Sequence, residues 1–130
     1  MSCIIKKVYV KRGKDSVVYH LHDDDPNHDF SSPVIRLLTS IIYKKMNCII
    51  ISKEQELFTQ KLLTTFANIP FKLAISGNLS CIDWENLDKA KKKLEESNIY
   101  IENSPKLNND SMFDLIDEYP NADIIIFYDI

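Results

Sequence analysis

Apolar positions along the chain fall into five short runs, separated by stretches with helical spacing. The runs are residues 3–10 (CIIKKVYV), 16–21 (SVVYHL), 47–52 (NCIIIS), 98–102 (NIYIE) and 122–129 (ADIIIFYD). The first two are joined by the turn-like RGKDS, which predicts a β-hairpin. The third and fifth contain continuous apolar stretches, CIII and DIIIF, rather than an alternation. That pattern predicts strands covered on both faces, as in a parallel sheet.

Between the runs the spacing changes to that of helices. Ser32 before Pro33 reads as an N-cap followed by proline at the first helical position. Val34, Leu37, Leu38, Ile41 and Ile42 then recur on one helical face. Leu57, Phe58, Leu62 and Phe66 repeat the pattern. Ser80 with Asp83 three residues on predicts a capping box, opening a helix with the stripe Trp84, Leu87, Ala90 and Leu94. A weaker pattern, Met112, Phe113, Leu115, Ile116 and Tyr119, ends before Pro120. The order β-β-α-β-α-α-β-α-β predicts an α/β, three-layer domain with a mainly parallel sheet of about four strands and an N-terminal hairpin at its edge.

With 130 residues, the chain is expected to form one domain. Its 45% hydrophobic and 27% charged residues are those of a chain with a packed core. The net charge of −3 argues against an overall nucleic-acid binder. Charge is nonetheless segregated. Lys6, Lys7, Lys11, Arg12 and Lys14 crowd the first strand and turn, and Asp15, Asp23, Asp24, Asp25 and Asp29 follow without a base. Three widely spaced cysteines, Cys3, Cys48 and Cys81, form neither a disulfide framework nor a zinc pattern. No run of 18 apolar residues occurs, so no membrane association and a cytoplasmic location are expected.

One resemblance rests on residues 47–101. The order is a buried strand with CIIISKE, a helix with QKLLTTFANIP, a turn with ISGNLS at Gly77, the helix start Asp83-Trp84, and the strand Ile99-Tyr100-Ile101. This resembles the ATPase core of bacterial replicative DNA helicases, the DnaB family, whose fold is RecA-like. The final ADIIIFYDI is similar to that family's last strand before its Ile-Asp-Tyr-Leu. The resemblance implies a RecA-like fragment spanning residues 1–130, with residues 1–21 as the hairpin and residues 22–32 where a P-loop would lie. Aligned on Tyr128, it puts Phe127 at the metal-linked aspartate, with Asp129 the remnant candidate if the strand slips by two residues. Glu54 is the remnant candidate for the catalytic glutamate if the following helix has a two-residue deletion, and Ser52 falls there without it.

The departures decide what such a relative does. A P-loop needs glycines that let backbone N–H groups curl around phosphate, a lysine, and a hydroxyl for Mg²⁺. Residues 20–32 (HLHDDDPNHDFSS) have no glycine and no lysine. Ser31 and Ser32 are the only hydroxyls there. Phosphate grip, metal grip and neighbour-supplied charge drive phosphoryl transfer. A chain lacking them is expected to be no enzyme and to bind no cofactor. The expected role is a protein-interaction or regulatory module linked to DNA replication. Its partner would be a replicative helicase or a second copy of itself.

A rival reading uses His20, His22, Asp24 and His28. His-x-His-x-Asp at a strand end is similar to the metal motif of metallo-β-lactamase-fold hydrolases, and imidazoles with carboxylates suit zinc or iron. Asp25 stands where the motif has its next histidine, and a solvated acidic loop is the plainer account. Lys6, Lys7, Lys11 and Arg12, with Tyr9 and Tyr19, form a possible nucleic-acid contact, against which stands the use of lysine to protect an edge strand. Lys89, Lys91, Lys92 and Lys93 read as a solvated helix face, and Trp84 reads as core. Cys81 stands at a helix start with no histidine near it in sequence, so no nucleophile–base pair emerges.

Overall fold

The computed structural model describes residues 3–11, 15–23, 25–104 and 118–129. Five strands form one sheet: β1 (Cys3–Lys11), β2 (Asp15–Asp23), β3 (Cys48–Ser52), β4 (Ile99–Asn103) and β5 (Ile124–Asp129). Their spatial order is β1-β2-β5-β3-β4. β1 pairs antiparallel with β2, and the other four strands run parallel to one another. The protein is thus an α/β fold with a four-stranded parallel sheet and an antiparallel strand at its N-terminal edge.

Alternate residues of the central strands supply two cores, because successive side chains leave a strand on opposite sides. Leu21, Cys48, Ile50, Ile124, Ile126 and Tyr128 face one side, with the helices. Val18, Ile51, Ile125 and Phe127 face the other and are also buried. That is why the runs in β3 and β5 are continuously apolar. The helix expected over Met112, Phe113, Leu115 and Ile116 lies outside the described residues.

Four helices are described: α1 (Ser32–Tyr43), α2 (Gln55–Phe66), α3 (Phe71–Ser76) and α4 (Cys81–Glu96). The crossovers β2–α1–β3 and β3–α2–α3–α4–β4 advance in the same direction across the sheet. Right-handed connections therefore put both on one face, and Val34, Leu38, Ile41, Phe58 and Leu62 meet in a single cluster. α4 packs mainly on α2, through Leu63, Phe66, Ala67, Leu87 and Ala90, and its Leu94 reaches the main core.

The helix boundaries follow local chemistry. Ser80 and Asp83 form the expected capping box: Ser80 Oγ accepts from Asp83 N–H at 3.1 Å and Asp83 accepts from Ser80 N–H at 3.0 Å. α1 begins one residue earlier than its sequence suggests, with Ser31 at the N-cap position. α3 is an additional short helix, opened at Pro70 and closed by Gly77 at φ 76°. That left-handed conformation costs glycine little and other residues more.

Candidate functional site

In open α/β sheets ligands collect beyond the carboxyl ends of the strands, where the connections change direction. Here that edge carries Asp23 of β2, Asp129 of β5 and the β3 terminus with Ser52, Lys53 and Glu54.

Asp23 is fully buried and turned inward. Its carboxylate accepts from Lys61 Nζ, from Tyr128 Oη at 2.6 Å and from Asp25 N–H at 3.0 Å. Lys61, on α2, is itself buried, with its ammonium 4.7 Å from the Phe30 ring centroid and 5.9 Å from that of Phe71. Phe30 stacks into the core against Phe58 at 5.4 Å, and Phe58 meets Tyr128 at 4.8 Å. Asp29 accepts the Phe71 backbone N–H at 2.8 Å. The segment between β2 and α1 is thereby tied to α2, α3 and β5. An anion-holding nest alternates right- and left-handed residues. Among the described residues positive φ occurs only at Lys45, Asn68 and Gly77, none in this segment. Ser31 Oγ, at the start of α1, is buried without a hydrogen-bond partner.

The histidines divide. His20 and His22 leave β2 on the side of Val18, and Asp129 leaves the neighbouring β5 on the same side. His20 Nε2 meets Asp129 Oδ2 and His22 Nδ1 meets Asp129 Oδ1, so one carboxylate is shared between two imidazoles. Partial burial raises the Asp129 pKa, but the hydrogen bonds from His20 and His22 outweigh it. They hold the carboxyl below its ordinary value of 3.8. His28 is turned elsewhere, its Nδ1 2.5 Å from Asp25 Oδ1. Asp24 lies outside the described residues. Among the described residues no group of three or more His, Cys, Asp or Glu side chains is placed to hold a metal ion.

Glu54 and Asp129 line one small cavity of about 190 Å³ with Lys53 and Tyr128. Glu54 occupies the N-cap position of α2, and its backbone N–H donates to Ser52 Oγ at 2.9 Å. Phe127 is buried in the second core.

The remaining candidates separate as follows. Lys6 and Lys7 lie on β1 and Lys11 ends it; Arg12 and Lys14 lie outside the described residues. Tyr19 is partly buried and packs against the main core. Lys89, Lys91, Lys92 and Lys93 are exposed on α4, as expected. Cys48 is buried, which pushes its thiol up to about 12, whereas Cys81 is exposed at the first residue of α4.

Trp84 requires a correction. It is 59% exposed rather than core, because α4 makes its buried contact with α2 through Leu87 and Ala90 and Trp84 is not part of it. Trp84 lines a groove of about 350 Å³ with Phe71, Ala74, Ile75, Leu79 and Leu87. Sequence reasoning also missed Lys61. Its only signal was a lysine on the apolar side of α2, between Phe58 and Leu62.

No family model matches the chain, and no curated protein matches its sequence. Among the described residues no helix is long and apolar enough to cross a membrane.

Proposed function

We propose that this chain is a non-catalytic domain of the replicative-helicase core type, acting as a protein-binding or regulatory module in DNA replication. One observation carries the reading: the segment at the P-loop position is used up by structural contacts. A loop that grips a triphosphate needs a lysine and free backbone N–H groups aimed at one point. Here Lys61, the cation paired with this segment, is buried against Asp23 and lies over the Phe30 ring. Opening that pair to receive a nucleotide would leave a buried charge without its partner, a cost of about 3–5 kcal/mol. Large apolar side chains exposed on α3 and α4 favour a binding role, since such patches mark association sites on soluble domains. A cytoplasmic location belongs to the same proposal.

Co-elution of the purified chain with a bacterial replicative helicase, without ATP turnover by the chain itself, is the expected result. ATP hydrolysis that is abolished by Asp129→Ala or Glu54→Gln would overturn it.

The metal-binding alternative draws on the convergence of His20 and His22 upon Asp129. Elemental analysis separates the two readings. Stoichiometric zinc, iron or manganese, lost from a variant carrying His20→Ala and His22→Ala, would favour the alternative.

A further inference from the structure

Leu73, Ile75, Ile82 and Trp84 are 40%, 55%, 68% and 59% exposed. All four belong to α3 or the first turn of α4. Ile75 and Trp84 share the groove described above, whose lining also includes Asp88 and Lys91. These two stand three residues apart on α4, which places them on one helical face. Both are exposed, and among the described residues neither belongs to an ion pair. The apolar groove is therefore edged by one free acid and one free base.

We propose that the occupant of this groove is a second copy of the chain, docked about a two-fold axis that sets Asp88 of each copy against Lys91 of the other. A two-fold interface applies the same patch to itself, so a contact between two positions occurs twice, once in each direction. A patch carrying one acid and one base is its own electrostatic complement in that arrangement. A groove shaped for a strongly acidic or strongly basic partner would carry charge of a single sign at its edge. Docking removes Ile75 and Trp84 from water, which supplies the driving force, while the two charge pairs fix the register. This inference rests on the binding-module reading and names the partner at one surface. It can fail while a complex with the helicase is still found.

Light scattering on size-exclusion fractions of the full chain, over a range of concentrations, tests it. Wild type is expected to be dimeric. Asp88→Lys and Lys91→Asp each place like charges together twice and are expected to weaken association at least about tenfold. An equimolar mixture of the two variants pairs a chain bearing two lysines with a chain bearing two aspartates, so the mixture is expected to regain the dimer. Trp84→Glu is expected to be monomeric. All of these side chains are exposed, so circular dichroism should report unchanged folding. A wild type that stays monomeric at every concentration overturns the proposal. So does a dimer insensitive to Trp84→Glu, or a variant mixture that associates no better than its components.

Discussion

The connection from β2 to α1 and the pair α3–α4 invert the usual rule of protein surfaces in opposite senses. At the first, charge is turned inward: Asp23 and Lys61 are buried together, with the Lys61 ammonium over the Phe30 ring. At the second, apolar bulk is turned outward, with Ile75, Ile82 and Trp84 in water. The first arrangement lowers the number of groups available to a ligand, and the second raises it. The contrast implies that changes at the first region act on stability and changes at the second act on association.

The sharpest way to break the contrast is Lys61→Ala. It strands the Asp23 carboxylate in the core, and urea denaturation should show a loss of about 3–5 kcal/mol. Tyr128→Phe removes one of the donors to Asp23 while keeping the aromatic packing, and should cost about 1–3 kcal/mol in the same measurement. Asp129→Asn acts through pH. The folded pKa lies below the ordinary 3.8, so the carboxylate's contribution is complete above that value and is lost as pH falls below it. Denaturation at a series of pH values should therefore show a shallower loss of stability below pH 3.8 in the variant than in wild type. The smallest effect on folding is expected for Trp84→Ala. Its thermal midpoint should stay near wild type, since surface substitutions away from special features usually lie within about 0.5 kcal/mol. A large drop there would mean that the α3–α4 surface is part of the core after all.

Much of the fold was legible because it depends on short-range pattern. The double-sided runs of β3 and β5 show as unbroken isoleucines, and the capping box shows as Ser80 with Asp83. What escaped depends on how distant elements meet. Asp23 and Lys61 are 38 positions apart, and their pairing follows from the packing of α2 over the end of β2. The histidine cluster was read with its sequence neighbours Asp24 and His28. His20 and His22 also reach a carboxylate from 109 and 107 positions away, because strand order sets β5 beside β2. Trp84 was misassigned because helical spacing identifies an apolar stripe but not how far along the helix its cover extends. α3 was missed although Pro70 and Gly77 bracket it, since six residues carry too little periodicity to stand out.

The placement of β5 also shapes how the molecule is made. Of the described strands, the one latest in sequence, β5, is inserted between β2 and β3, which are synthesised earlier. Until residues 124–129 are available, those two strands have an empty slot between them and neither core can close. Assembly must therefore wait for residues that follow β3 by about 70 positions. The loop entropy of that wait favours slow folding, and a nascent chain still lacking this strand would expose apolar strand edges to whatever chaperone attends it.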